Sequence, residues 1–294
     1  MQKSPPFQES YHESQAMSLQ KIGLIYHPLN ERAFVQAQKL AKRLSQEEAT
    51  HWMCSAWEPG DIRANLGGTG LIITCGGDGT ILRVAQIATE AGIPILGVNF
   101  GRLGFLTELT ATESDKKLSK ILAGAGWIEE RAMLQANLRP ANNREPARSF
   151  HALNDIVMAR GEIARIVHID TKIDGRPFTT YRADGVIAAT ATGSTGYSLA
   201  ACGPVLHPES CSFVLTPITP HLTMHYPLVL PAATRLDLTI NTVHQAILSI
   251  DGHTSLSLGD GDSITIEASP LKTRFLRLHP RNYFYPSLDH KLKG

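Results

Sequence analysis

Apolar residues follow two different rhythms along this chain, and the rhythm changes near its middle. Residues 21–27 read KIGLIYH, an apolar run of the length of a buried strand. After Pro28 and Asn30, the stretch ERAFVQAQKLAKRLSQ places Phe34, Ala37, Ala41 and Leu44 on one helical face. A second strand is predicted from Met53 to Trp57, then a turn-rich GDIRANLGGTG, then the strong strand LIITC. Ile81, Val84, Ala85 and Ala88 return to helical spacing until Gly92 and Pro94 end it, and IPILGVN follows as a further strand. Strand, helix, strand in this order predicts a parallel sheet.

From about residue 131 helical periods give way to alternating runs separated by Gly, Asp, Asn and Pro. Val167, Ile169, Thr171 and Ile173 alternate up to Asp174-Gly175, a hairpin signal, and Phe178 and Thr180 resume beyond it. Leu236, Leu238 and Ile240 alternate likewise. Further strands end at Asp251-Gly252 and at GDGD (259–262), with Ile264 and Ile266 alternating afterwards. The predicted fold class is therefore an α/β N-terminal domain with a parallel sheet plus an all-β C-terminal domain. The expected division is a disordered polar leader over residues 1–19, with Met17 as an alternative start; an α/β domain over 20–130; a β-rich domain over 131–270; and an aromatic, basic segment over 271–294 that packs back on the N-terminal domain.

Composition narrows the function classes. The chain has 294 residues, of which 43% are hydrophobic and 19% charged, so it is too apolar for a disordered protein and long enough for two domains. Lys and Arg number 28 against 27 acidic residues with no block of like charge, which removes compositional support for nucleic-acid binding. No segment approaches the ~18 uninterrupted apolar residues of a membrane span, and the N-terminus lacks an apolar signal core. The four cysteines have neither CxxC spacing nor a disulfide framework. Together these predict a soluble, cytoplasmic protein with reduced thiols.

Three stretches carry candidate chemistry. CGGDGT (75–80) follows a strand of an open α/β unit, where such sheets place ligands, and its glycines let backbone amides approach an anion at a helix N-terminus. Gly76, Gly77, Gly79 and Thr80 are the candidate phosphate cradle. The turn holds no lysine, is no GxxxxGK[ST] loop, and fails the dinucleotide fingerprint because Leu82 replaces the third glycine. Phosphate charge would then fall to amides, the helix dipole beginning near Thr80 and a magnesium ion carried by a nucleotide. Asp78 opposes that field, so it either caps the helix or acts on a group other than the phosphate oxygens. The second stretch, RADGVIAATATGSTGYSLAACGP (182–204), is a short strand and a hydroxyl-rich turn, read either as a hairpin loop or as a binding loop. In the third, strand-like HALNDIVMA, Asn154 and Asp155 point to opposite faces, so one is buried or ligand-bound unless a turn or bulge intervenes. His207, His221, His225 and His253 are not spaced as a metal set.

GGDGT, GVNFGRLGFL (97–106), ALND, RADG, TGSTGYSLA, GPVLHP, LTPITPH and PLVLP occur in the order and spacing of bacterial NAD kinases, over roughly residues 21–285. GGDGT alone suits diacylglycerol kinases and phosphofructokinases as well; the combination resembles the NAD kinases. That resemblance implies phosphorylation of the adenosine ribose 2′-hydroxyl of NAD by ATP with a divalent metal, NAD lying between two domains and across a subunit boundary of a homo-oligomer, dimer or tetramer. It implies that Asp78 accepts the proton, with Gly79 beside it against the dinucleotide, and that Phe105 lines the adenine pocket. Asn154 and Asp155 match the family's Asn-Glu pair, Asp155 one methylene shorter. Arg182, Asp184 and the run Thr195, Gly196, Tyr197, Ser198, Leu199, Ala200 match further NAD contacts, and Arg165 and His253 more variable ones. Where the family usually reads TPTGSTAYS this chain has Ala191 and Gly196, which changes pocket shape there.

Overall fold

Parallel strands covered on both faces need apolar runs rather than alternation, and the N-terminal runs meet that need. Residues 19, 21–101, 104–141, 146–162, 165–221 and 224–292 are described by the computed structural model; of the expected leader only Leu19, which is buried, falls among them, and Met17 lies outside. Strands β1 (Lys21–Tyr26), β2 (Thr50–Ser55), β3 (Leu71–Cys75) and β4 (Ile95–Asn99) pair in parallel in the spatial order β4-β3-β1-β2. Every residue of β3 is buried. Helix α1 (Glu31–Gln46) starts on Asn30, whose side chain accepts from the Ala33 amide, and buries Ala33, Ala37, Leu40 and Leu44; Phe34 and Ala41, expected on that stripe, lie on its margin. The turn-rich stretch after β2 is instead partly helical, α2 (Pro59–Asn65), with the proline in the first turn, where its missing N–H costs nothing. Helix α3 (Asp78–Glu90) buries Ile81, Val84, Ala85 and Ala88 and stops before Gly92 at φ 67°. Beyond it come β5 (Leu109–Thr110) and α4 (Ala111–Leu122), the latter entered through a Thr110–Glu113 capping box.

The remaining strands are β6 (Trp127–Arg139), β7 (Arg148–Ala152), β8 (Asp155–Arg160), β9 (Val167–Ile173), β10 (Arg176–Ala183), β11 (Gly185–Ala189), β12 (Phe213–Ile218), β13 (Leu228–Leu230), β14 (Leu236–Asn241), β15 (Ala246–Ile250), β16 (Thr254–Leu258) and β17 (Ser263–Arg277). Two helices interrupt or close them, α5 (Tyr197–Ala200) and α6 (Phe284–Leu292). Asp174-Gly175, at φ 50° and 76°, joins β9 to β10, and Asp251-Gly252, at φ 50° and 69°, joins β15 to β16, both as the sequence predicts.

The parallel strands do not form a sheet of their own. β17 runs beside β4 at Phe275 and Ile95 and carries the sheet on through β14, β9 and β10, giving eleven strands with β5, β6 and β7. β6 and β17 pair antiparallel along both halves, with an irregularity between Ala268 and Lys272. Residues 131 and 271, two of the expected segment bounds, lie inside two strands that pair with each other. A second, antiparallel sheet of order β13-β12-β11-β8-β15-β16 packs on the antiparallel part of the first through Ile156, Met158, Tyr181, Phe213, Leu238 and Ile266. Two further cores seat α2 and α3 on one face of the parallel strands and α1 and α4 on the other.

Candidate active site

β3 ends at Cys75, and the chain turns at once into α3. Gly76 donates to the Val98 carbonyl at 2.9 Å, and a Cβ there would stand 2.3 Å from Thr80 Oγ1, so only glycine fits. Gly77 is the N-cap and has no side chain to offer; the helix begins at Asp78 rather than near Thr80. Asp78 is therefore inside the first turn and does not cap it, which removes the capping alternative. Its carboxylate instead accepts three backbone amides from another segment: Phe105 at 2.7 Å on Oδ2, and Leu106 at 3.1 Å and Thr107 at 3.3 Å on Oδ1. Gly104 makes this possible, since a Cβ there would lie 2.2 Å from Asp78 Oδ1. Gly77 and Gly79 are exposed, with open space where a Cβ would stand. The N-terminal end of the helix, where the Thr80 amide already donates to the Gly77 carbonyl, thus faces an open approach with an anchored carboxylate at its rim. Among the described residues the buried Thr80 Oγ1 has no hydrogen-bond partner.

A second cluster forms where the chain changes sheets. The expected single strand through HALNDIVMA is two: β7 belongs to the large sheet and β8 to the small one, and Leu153-Asn154 is the crossing between them. Asp251, at the tip of the β15–β16 hairpin, clamps this crossing by accepting the amides of Leu153 (2.9 Å), Asn154 (2.6 Å) and Asp155 (3.1 Å). Thr190 holds the other side, its amide donating to the Asn154 carbonyl and its hydroxyl to that of Leu153. The hydroxyl-rich stretch is not a hairpin loop: Gly193–Thr195 is a 3-10 turn, and α5 follows. Gly193 packs so closely on Asn154 that a Cβ would come within 2.1 Å of its carbonyl oxygen. Burial and the neighbouring Asp251 carboxylate push Asp155 up to about 7. Burial also raises Asp251, against the pull of its three amides. Among the described residues the buried Asn154 Oδ1 has no hydrogen-bond partner.

Asn154, Asp155, Asp184, Tyr197, Asp251 and Gly252 share one cleft of about 600 Å³. Asp184 is held there by Arg160 at 2.8 Å. The other expected residues scatter around it. His253 Nδ1 lies 3.1 Å from the Asp251 carbonyl oxygen. Thr195 and Leu199 are half-buried, Gly196 and Ala200 exposed, while Ser198 is buried with its hydroxyl 3.0 Å from that of Thr216. Ala191 is buried. Arg182 is exposed on β10, and Arg165 lines a different cleft with His168, Asn241 and His244. Phe105 lines a third, with Arg131, Arg277 and Lys291.

Sequence reading missed the buried charges that tie these parts together. Glu129 Oε2 meets Arg277 Nε at 2.6 Å and Arg131 at 2.9 Å, and Glu108 meets Arg277 at 3.3 Å. Burial would raise Glu129, but Arg277 and Arg131 outweigh it and hold the carboxyl low. Arg131 also donates to Thr192 in the second cluster, and Arg277 to the carbonyl of Leu106, whose amide binds Asp78. No short motif marks these residues, because they lie 148 positions apart in the chain at the Arg277–Glu129 contact. Asp251 did carry a signal, but only as a turn residue. Among the described residues no three His, Cys, Asp or Glu side chains are grouped to hold a metal, and no helix is long and apolar enough to cross a membrane.

Both halves of the chain match known proteins. Residues 34–125 fit the family model of the ATP-NAD kinase N-terminal domain, and residues 153–278 that of the ATP-NAD kinase C-terminal domain. An NAD kinase of Dehalococcoides mccartyi is 49% identical over 274 residues, covering 93% of this chain and 96% of its own. One from Chloroflexus aurantiacus is 36% identical over 275 residues, 94% of this chain and 99% of its own. Among solved structures, yeast NADH kinase complexed with NADH superposes with a TM-score of 0.80 at 26% identity, over 94% of this chain and 88% of that one. An Archaeoglobus fulgidus NAD kinase in complex with ATP gives 0.72 at 25% identity, over 93% and 98%. With the glycine turn of Asp78 inside one matched domain and the Asn154 crossing inside the other, the chain belongs to the NAD kinase family.

Proposed function

We propose that this chain transfers the terminal phosphoryl group of ATP to the 2′-hydroxyl of the adenosine ribose of NAD, giving NADP and ADP. The observation that carries the reading is the state of Asp78: it caps nothing, and three amides hold its carboxylate at the rim of an open helix N-terminus. A carboxylate there opposes phosphate binding and serves an acceptor hydroxyl instead. Gly77 and Gly79 offer the donor phosphates their amides and the helix dipole, while Gly76, tied to Val98, and Thr80, tied to Gly77, shape the turn that holds them. The cleft of Asn154, Asp155, Asp184 and Tyr197 takes NAD, with Phe105, Arg165, Arg182, His253 and the other residues of Thr195–Ala200 as further contacts. In the reaction the ribose O2′ attacks the γ-phosphorus, the bond to the β,γ-bridging oxygen breaks, and the hydroxyl proton passes to Asp78 late in the transfer. Magnesium carried on the ATP neutralises the phosphate oxygens. The ATP of the archaeal relative and the NADH of the yeast one support the pair of substrates.

We place the enzyme in the cytoplasm as a homo-oligomer with the Asn154 cleft near a subunit boundary. Incubation of the purified protein with ATP, NAD and magnesium, with NADP read by an NADP-specific dehydrogenase, is expected to yield NADP. Absence of NADP with several divalent metals and with either ATP or polyphosphate would refute the assignment. A fully active monomer in sedimentation at assay concentration would refute the placement at a boundary.

A further inference from the structure

The glycine turn lacks a lysine, yet one cation is left over close to it. Lys291, in the last turn of α6, stands with its ammonium 5.6 Å from the centre of the Phe105 ring, and the Phe105 amide holds Asp78. α6 is docked on the opposite side of the cleft: Phe284 and Tyr285 contact His207 at 5.4 Å and 5.6 Å, and Arg281 just before the helix pairs with Glu209 at 3.3 Å. The small cavity this leaves, about 60 Å³, is lined by Phe105, Thr107, Arg131, Arg277 and Lys291 together with Glu108 and Glu129. Both carboxylates are already committed. Glu129 binds Arg277 and Arg131; Glu108 binds Arg277, the amides of Leu278 and His279, and the His279 ring. Among the described residues Lys291 has neither an ion pair nor a hydrogen bond through its ammonium. With Arg281 and Glu209 included, four cations line this half-buried space against three carboxylates, and the one in excess is costly to bury unless an anion completes it. Burial and the repulsion of Arg277 hold the Lys291 ammonium below the ordinary lysine range, with Asp78 and Glu108 pulling the other way.

We infer that Lys291 is an anion-binding residue of the transfer site, reaching from the last turn of α6 to take a phosphate of the ATP and supplying the cation that the glycine turn lacks. The inference rests on the kinase reading above. An ammonium, with three rotatable donors on a flexible stem, can follow a phosphate that moves during transfer, whereas fixed amides cannot. NAD also carries phosphates, so the two sources must be separated.

Isothermal titration of wild-type protein, Lys291→Gln and Lys291→Arg with inorganic tripolyphosphate and, separately, with NAD does so, beside steady-state kinetics. In Lys291→Gln we expect tripolyphosphate affinity to fall and the KM for ATP to rise by about 10-fold or more, as for loss of a charged hydrogen bond. NAD affinity and the melting temperature should hold, and Lys291→Arg should recover most of the binding. Unchanged tripolyphosphate affinity and KM in folded Lys291→Gln would overturn the inference, and so would a loss confined to NAD. If the wild-type protein made no NADP but bound tripolyphosphate in a Lys291-dependent way, the kinase reading would fail and the anion site would stand.

Discussion

At the scale of single residues, the anchoring of Asp78 changes what its substitution tests. Were it an N-cap, asparagine would replace it without loss of stability. Held instead by three amides, it needs acceptor oxygens on both sides, and the NH2 of asparagine would face a backbone N–H. Asp78→Asn is therefore expected to lose about 1–3 kcal/mol of stability and, on the kinase reading, about 10²-fold or more in turnover. Gly104→Ala separates seating from chemistry, because it keeps the carboxylate but puts a Cβ 2.2 Å from Oδ1. Its turnover should fall too; wild-type rates in this variant would mean that the position of Asp78 does not matter. Asp155 carries a pH signature. Its carboxyl goes from an ordinary 3.8 to about 7 on folding, so between those values the folded state holds more protons than the unfolded one. Stability from this group is complete below about pH 4 and is lost as pH rises through about 7. Asp155→Asn should accordingly melt higher relative to wild type at pH 8 than at pH 4, by calorimetry. An equal difference at both would refute the assignment.

Elements show how one local signal can serve two purposes. Asp174-Gly175 and Asp251-Gly252 are the same left-handed turn, readable from the dipeptide alone. Among the described residues the Asp174 side chain accepts only the exposed Arg235 amide, whereas Asp251 clamps the crossing from β7 to β8. Asn tolerates the turn as well as Asp does but has one acceptor oxygen rather than two. Asp251→Asn should cost about 1–3 kcal/mol and weaken NAD binding, while Asp174→Asn should cost well under about 1 kcal/mol. Equal denaturation midpoints for the two variants would show that the clamp contributes nothing. Helix α4 carries a local signal too, since Thr110 and Glu113 spell a capping box ahead of the buried Ser114, Leu118 and Ile121.

For the whole molecule, the paired strands β6 and β17 carry the main consequence. They belong to both halves, and Glu129 lies buried between Arg277 and Arg131 along them. Removing one partner leaves uncompensated buried charge, so Glu129→Gln is expected to cost about 3–5 kcal/mol. Because the same strands run through both halves, calorimetry should record one transition in wild type and variant; two separated transitions would contradict that coupling. What the sequence by itself determined were the features that depend on neighbours in the chain: the apolar runs of β1, β3 and β4, the buried stripe of α3, the two Asp-Gly turns, and the glycines around Asp78. Those follow from backbone sterics and periodicity, which act within a few residues. Only the tertiary structure decided that Asp78 is held by Phe105–Thr107, that HALNDIVMA breaks between two sheets, and that Asp251 closes the break. It alone placed Lys291 over Phe105. Each of these is a contact between segments far apart in sequence, and which distant acceptor meets which amide is chosen by the packing of the whole core rather than by any local preference.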